Sequence, residues 1–270
     1  MQYLFSDWDK IVSRIKSASH VLLLFDFDGT LTPIVKRPEL AILSEESRQL
    51  LENLSHKRRV IIGVVSGRGL SDIRSKVGIN GIIYVGNHGF EIKGPGLNYV
   101  HPVNDETKSL MNTISRLLNN SLSTIRGVIV EHKGLTVSVH YRLVKNVETD
   151  TIKNIIQQDI ETAGLSDNVK ITHGKKVYEI RPNVHWHKGM AVKLIIEKYS
   201  GGTGQDSFLP VYVGDDLTDE DAFKVIKKYD GISVYVGDVN PQSVADYYVR
   251  TCKEVNKFME GLLKIENVND

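Results

Sequence analysis

Two aspartates, Asp26 and Asp28, lie two residues apart directly behind the apolar run at 21–25. In an extended strand such side chains lean to the same side, so two carboxylates would meet at one site. Close negative charges need a cation between them or a shared proton. Gly29 and Thr30 follow and allow the chain to turn sharply toward a ligand. The pattern predicts a nucleophile, Asp26, with an acid/base partner, Asp28, and a metal ion.

Three further apolar runs, at 60–65, 82–85 and 211–213, also end in polar turns. These turns are Ser66-Gly67-Arg68, Asn87-His88 and Asp215-Asp216. In open α/β sheets, ligands bind outside the carboxyl ends of the strands. Together with the turn at Asp26, they predict a ligand site along one rim of a sheet.

The types of residue in these turns suit a phosphate group. Ser66 would donate its hydroxyl to a phosphate oxygen, and Gly67 would admit backbone N–H groups. Taken alone, Ser66 favours an ordinary strand-to-helix turn in which it caps the helix. Lys188 precedes an amphipathic stretch at 189–199, where a cation opposes the helix dipole unless an anion also binds there. The alternative for Lys188 is an ordinary solvent-exposed lysine.

The carboxylates predict a magnesium site, because hard oxygen ligands without sulfur suit Mg²⁺. The candidate ligands are Asp26, Asp28 and Asp215, with Asp216 or a water completing the shell. The acidic residues at 219–221 open a helix, so we assign them to capping and to the helix dipole.

The fold class is predicted to be α/β, with a parallel, Rossmann-like core sheet and an inserted smaller α+β cap domain. Continuous apolar strands separated by helices indicate a parallel sheet covered on both faces, and 232–236 adds a short strand. The segment 135–142 instead alternates apolar and polar residues, which is typical of a half-exposed antiparallel strand. A helix at about 148–163 and strands near 168–173 and 176–181 follow. We therefore expect a core domain at 1–103 and 183–270 and a cap domain at 104–182.

The four core motifs, in this order, resemble those of the haloacid dehalogenase superfamily. The motifs are Asp26-Phe27-Asp28-Gly29-Thr30, Ser66-Gly67-Arg68, Lys188-Gly189 and Gly214-Asp215-Asp216. The long interval between Arg68 and Lys188 can hold a whole cap domain, as in the sugar-phosphatase branch. Glu131-His132-Lys133, His140-Tyr141-Arg142 and Glu179-Ile180-Arg181-Pro182 further resemble the trehalose-6-phosphate phosphatase family. The resemblance implies Mg²⁺-dependent hydrolysis of trehalose 6-phosphate through an aspartyl-phosphate, and a functional link to a trehalose-phosphate synthase.

The resemblance also implies substrate contacts from the cap, made by Glu131, Lys133 and Glu179. His132 and Asn87 depart from the family pattern, which usually has Asp and Glu there. The complete set of expected substrate-binding residues is Thr30, Gly67, Arg68, Asn87, His88, Glu131, Lys133, His140, Arg142, Glu179 and Arg181. From the residues alone, the polar faces of these cap strands fit a sugar site and a solvated outer face equally well.

Composition narrows the class of protein. Hydrophobic residues make up 41% and charged residues 25% of the 270 residues, as in ordinary globular proteins. A net charge of +1 gives no reason to expect a nucleic-acid or membrane partner. No run reaches the roughly 20 apolar residues of a membrane span, and the first 20 residues do not resemble a signal peptide. The single cysteine, Cys252, favours a reducing compartment, so we expect a cytoplasmic location.

Three alternatives remain at this point. The chain could hydrolyse another sugar phosphate, such as sucrose 6-phosphate or a glycosyl-glycerate phosphate. It could be a non-enzymatic module that stores a phosphate on aspartate, although such a module needs neither Asp28 nor a cap. It could also be an inactive regulatory relative, against which the intact core motifs argue.

Overall fold

The computed structural model describes residues 1–145, 149–201 and 208–265. The chain divides into two compact units. The core unit comprises the described parts of 1–35, 39–100 and 186–270, and the inserted unit comprises those of 36–38 and 101–185.

The described residues of the core unit contain nine strands: β1 Gln2–Tyr3, β2 His20–Asp26, β3 Val60–Val65, β4 Ile83–Gly86, β5 Glu91–Gly94, β6 Leu97–Val100, β11 Phe208–Gly214, β12 Ile232–Val236 and β13 Tyr247–Val249. They form one sheet with the order β1-β13-β12-β11-β2-β3-β4-β5-β6. All neighbouring pairs from β1 to β4 are parallel, whereas β5 and β6 add an antiparallel edge. The predicted α/β class with a parallel core sheet is confirmed. The antiparallel edge was not predicted.

Helices cover both faces of this sheet. Their bounds are α1 Trp8–Ser17, α2 Glu45–Ser55, α3 Leu70–Val77, α6 Lys188–Ser200, α7 Glu220–Lys228 and α8 Cys252–Leu263. Alternate residues of β2 belong to different apolar clusters. Leu23 lies in the cluster that includes residues of α1, α2, α3 and α8, and Leu24 lies in the cluster that includes residues of α6 and α7. Burial on both sides explains why the strand is apolar throughout.

The inserted unit is a four-stranded antiparallel sheet with two helices on one face. Its elements are α4 Asp105–Ser121, β7 Ile129–His132, β8 Val137–His140, α5 Thr149–Thr162, β9 Val169–Gly174 and β10 Val177–Pro182, and the strand order is β7-β8-β10-β9. Val137 and Val139 of β8 pack against the apolar sides of α4 and α5. The first residue of the helix expected at 148–163 lies outside the described residues.

The segment 135–142 contains the expected antiparallel strand, but of its polar residues only His140 and Arg142 are partly exposed. Its polar residues Thr136 and Ser138 have 0% exposure, like the apolar residues of the other face. Buried hydroxyls are tolerated where they have hydrogen-bond partners, and Ser138 has one in Glu179. Alternation therefore identified the two faces correctly but not their exposure.

None of the helices in the described parts of the chain combines the length and the apolar character that a membrane crossing requires.

Candidate functional site

The two aspartates of the first motif have different partners. Asp26 is the last residue of β2 and is buried, and its Oδ1 accepts a hydrogen bond from Lys188 Nζ at 2.6 Å. The Asp28 side chain is 38% exposed, and its two oxygens accept from Arg68 Nε and Nη2 at 2.7 and 2.8 Å. The pair thus divides into a buried carboxylate beside a lysine and an accessible one held by an arginine.

Lys188 is the first residue of α6, and it is buried rather than solvated. Besides Asp26, its ammonium contacts Asp219 Oδ1 at 2.7 Å. Two carboxylates compensate for a cation that would otherwise oppose the helix dipole. The geometry therefore excludes the solvent-exposed alternative for this lysine.

Asp219 is a central residue of the site, which the sequence analysis missed. It is fully buried, and its Oδ1 also accepts from the Tyr212 hydroxyl at 2.7 Å. Its Oδ2 accepts the backbone N–H groups of Asp215 and Asp216, each at 3.0 Å. Four hydrogen bonds on one buried carboxylate fix its position and the turn behind β11.

The capping role assigned to Asp219 is confirmed, and Asp216 shares it in a capping box at the start of a short 3₁₀ helix, Leu217–Asp219. Asp216 Oδ1 accepts the backbone N–H of Leu217 at 2.7 Å, and Asp219 Oδ2 accepts that of Asp216. The Asp216 carboxylate does not belong to the group of three buried carboxylates described next. The structure therefore does not support Asp216 as a metal ligand.

Three buried carboxylates could hold a metal ion: those of Asp26, Asp215 and Asp219. Each offers an oxygen, and the three oxygens lie within 4.8 Å of one another. Gly29, with φ +95°, lets Asp215 approach, since a side chain there would overlap the Asp215 carboxylate. Thr30 Oγ1 donates to Asp215 Oδ1 at 3.4 Å. An all-oxygen donor set suits a hard divalent cation, and the Asp28 carboxylate lies outside it.

The electrostatics of this group also favour a cation. Burial raises the pKa of Asp26, Lys188 lowers it, and Asp219 and Asp215 raise it again, so the pKa lies well above its usual range. Burial lowers the pKa of Lys188, but Asp219 and Asp26 outweigh it and the net shift is upward. One ammonium thus faces three carboxylates, and a divalent cation would balance their charge.

Arg68 positions the Asp28 carboxylate and is not an open binding group for a ligand. Its guanidinium is buried, contacts Asp72 at 2.9 Å in addition to Asp28, and lies 5.5 Å from the centroid of the Phe27 ring. A planar guanidinium matches a carboxylate through two parallel hydrogen bonds, so Asp28 is held in a defined orientation. Asp72 was not predicted.

The turns after β3 and β4 pack against each other. Ser66 Oγ accepts the backbone N–H of Arg68 at 3.1 Å, and the backbone N–H of His88 binds the Ser66 carbonyl at 3.0 Å. A side chain at Gly67 would overlap the His88 ring. Asn87 and His88 both have left-handed φ values, of 49° and 55°. Such strained residues are typical of functional sites.

In the inserted unit, predicted sugar-site residues form one polar cluster. Lys133 Nζ contacts Glu179 Oε1 at 3.1 Å and Oε2 at 3.4 Å, and the two side chains are only 6% and 8% exposed. His140 Nε2 and Glu131 Oε2 lie 2.9 Å apart. Burial raises the pKa of Glu131, but the hydrogen bond to His140 and the charge of Lys133 outweigh it and leave the pKa lowered.

The two predicted arginines of this unit lie at the ends of the strands that hold the cluster, Arg181 two residues beyond Glu179 on β10 and Arg142 two residues beyond His140. Arg142 follows β8 and donates to the Lys175 carbonyl. Arg181 is buried in β10, opposite Lys170 of β9.

The residues that sequence reasoning missed are Asp219, Tyr212, Asp72 and Ser138. Asp219 and Asp72 had a local signal, because Asp219 lies four residues beyond Asp215 and Asp72 four residues beyond Arg68, and one helical turn brings such residues together. Tyr212 and Ser138 meet their partners only in the folded structure.

Comparisons with known proteins identify the family of this chain. The family model described as trehalose-phosphatase matches residues 24–252. A probable trehalose-phosphate phosphatase D of Arabidopsis thaliana is 32% identical over 94% of this chain and 70% of its own. A trehalose-phosphate phosphatase of Mycobacterium avium is 37% identical over 77% and 52%. The solved C-terminal domain of a Candida albicans trehalose-6-phosphate phosphatase is similar with a TM-score of 0.82 and 24% identity, over 94% of this chain and 95% of that one.

Proposed function

The chain belongs to the trehalose-phosphatase family, and from this premise we propose how its residues hydrolyse trehalose 6-phosphate to trehalose and phosphate. It is a phosphoric monoester hydrolase. One observation supports the mechanism most directly: the buried Asp26 carboxylate at the end of β2 touches Lys188 and lies in a group of three carboxylates.

Magnesium is the proposed metal, held by Asp26, Asp215 and Asp219. When bound, it would neutralise charge on these carboxylates and on the phosphate. The ligand set differs from the one expected from sequence, because Asp219 takes the place of the Asp28 and Asp216 side chains. The fit rests on the oxygen donors and on the excess negative charge around Lys188.

In the first step, an Asp26 oxygen forms a bond to phosphorus while the bond from phosphorus to the sugar oxygen breaks. Lys188 stabilises the ionised form of Asp26 and binds the phosphate, together with the Ser66 hydroxyl. Asp28 gives a proton to the departing sugar oxygen. To do so, the Asp28 carboxylate must release hydrogen bonds to Arg68 and turn toward the sugar oxygen. We propose that Arg68 guides Asp28 between these two orientations.

In the second step, Asp28 takes a proton from water, and the water oxygen forms a bond to phosphorus. The bond between phosphorus and the Asp26 oxygen then breaks, which releases phosphate and restores the carboxylate. One accessible carboxylate serves both steps, which agrees with the greater exposure of Asp28 than of Asp26.

The inserted unit is proposed to recognise the sugar through Glu131, Lys133 and Glu179. Carboxylates and an ammonium that already bind one another offer acceptors and donors in fixed places, as hydroxyl groups require. Trehalose 6-phosphate is made by a trehalose-phosphate synthase, so a functional link to such an enzyme is proposed as well. A cytoplasmic location stays a prediction from the single cysteine.

Phosphate release tests this function. Purified protein would be given trehalose 6-phosphate, sucrose 6-phosphate and glucose 6-phosphate, first with EDTA and then with Mg²⁺ in excess. We expect release only with Mg²⁺ and fastest from trehalose 6-phosphate. Preference for sucrose 6-phosphate would contradict the substrate, activity in EDTA would contradict the metal, and no release from any substrate would contradict the enzyme.

A further inference from the structure

We propose that Ser138 is a positioning residue for substrate recognition, whose hydroxyl fixes the orientation of the Glu179 carboxylate. The inference rests on the proposed function, in which Glu179 contacts the sugar. Ser138 has no role in the motifs of the sequence, and it becomes visible only through its contacts in the inserted unit.

The register of the sheet brings Ser138 between two acidic residues. Ser138 of β8 lies directly opposite Glu131 of β7 on one side and opposite Glu179 of β10 on the other. Directly paired residues of neighbouring strands project from the same face. Since neighbouring strands are about 4.8 Å apart, the backbones of the two glutamates are separated by about 10 Å, and Ser138 lies between them.

The Ser138 hydroxyl lies closer to the Glu179 carboxylate than the Lys133 ammonium does. Ser138 Oγ donates to Glu179 Oε1 at 2.7 Å, whereas Lys133 Nζ lies at 3.1 Å from Oε1 and 3.4 Å from Oε2. Ser138 is completely buried and Glu179 nearly so. In such surroundings a hydrogen bond to a charged group is stronger than in water.

The two donors have different tasks. A lysine ammonium is a point charge on a flexible stem with three rotatable donors, so Lys133 neutralises Glu179 without fixing its rotation. Ser138 has one hydroxyl on a short side chain, and its bond is directed from a fixed strand. The serine therefore sets the plane of the carboxylate and the direction in which Oε2 points.

The test separates positioning from a merely structural role. The parameters kcat and KM would be measured for trehalose 6-phosphate and for p-nitrophenyl phosphate, which has no sugar. We expect Ser138→Ala to raise KM for trehalose 6-phosphate about tenfold, the usual effect of losing one hydrogen bond to a charged group, with kcat and the aryl phosphate kinetics nearly unchanged. The control Ser115→Ala removes another buried hydroxyl of this unit, on α4, and should resemble the wild type on both substrates.

A second pair of variants keeps the test valid if Ser138→Ala folds poorly. The side chains introduced by Ser138→Thr and Ser138→Val have nearly the same shape, but only threonine has a hydroxyl. The KM for trehalose 6-phosphate should therefore be about tenfold lower in the threonine variant than in the valine variant. Equal KM values in this pair, or equal losses on both substrates, would overturn the role of Ser138. If the wild type hydrolysed the aryl phosphate but not trehalose 6-phosphate, the proposed substrate would fail and this inference with it.

Discussion

Replacing Asp219 by asparagine tests whether this residue stabilises the core unit. The carboxylate accepts from Lys188, Tyr212 and two backbone N–H groups. Asparagine has one oxygen, so it can serve two of these four donors, and its amide nitrogen then faces the others. Of the two carboxylates that it contacts, Lys188 then keeps only Asp26 as an ionic partner, and each of the two donors left without an acceptor costs about 1–3 kcal/mol. We expect the free energy of unfolding to fall by about 3–5 kcal/mol.

Urea unfolding followed by tryptophan fluorescence measures this change in the right unit. The two tryptophans, Trp8 and Trp186, both belong to the core unit, so the signal reports its unfolding. The measurement should be made in excess Mg²⁺, which screens the repulsion among the acidic side chains. In EDTA the loss should be smaller, because removing one negative charge then relieves that repulsion.

Asp221→Asn is the matched control, two residues further along the chain. Its carboxylate is 40% exposed and lies 3.4 Å from Lys224 Nζ, a surface ion pair worth less than about 1 kcal/mol. The sequence pattern gave both aspartates the same capping role, whereas the structure separates them. If the two variants lost the same free energy within about 1 kcal/mol in Mg²⁺, the role given to Asp219 would be refuted.

Three further predictions concern the reaction and the inserted unit. Asp26→Asn should abolish turnover and leave the circular dichroism spectrum unchanged, since it removes the nucleophile, and phosphate release at the wild-type rate would exclude the assignment. Glu131→Ala should raise KM for trehalose 6-phosphate at least about tenfold with little effect on p-nitrophenyl phosphate, and equal losses would argue against a sugar site. His140 and Lys133 lower the pKa of Glu131 below its usual 4.5 despite burial, so its ionised form stabilises the fold above that pH. This stability is lost as the pH falls through the lowered pKa. Thermal unfolding of the wild type should therefore weaken more than that of Glu131→Gln between about pH 6 and about pH 3, and parallel curves would contradict the shift.

Much of the core unit could be predicted because its signals are local. The run at 21–25 is apolar at every position, which only a strand covered on both faces requires, and β2 is such a strand. The helix after Ser44 begins where its cap indicates, with the side chain accepting from Ser47 N–H at 3.1 Å. The edge strands β5 and β6 lacked a comparable signal, since short strands exposed on one side resemble loops.

The sequence by itself determined the chemistry of this protein, because the order and spacing of Asp26, Asp28, Ser66, Lys188 and Asp215 place reactive groups at the ends of parallel strands. Only the tertiary structure decided which partner each charge has. Asp219, expected only as a capping residue, also binds Lys188 among the buried carboxylates, and Ser138 contacts Glu179 on the neighbouring strand. Local patterns record a residue's own helix or strand, whereas ion pairs and buried hydrogen bonds join residues distant in the chain, whose distances are set when the sheets pack.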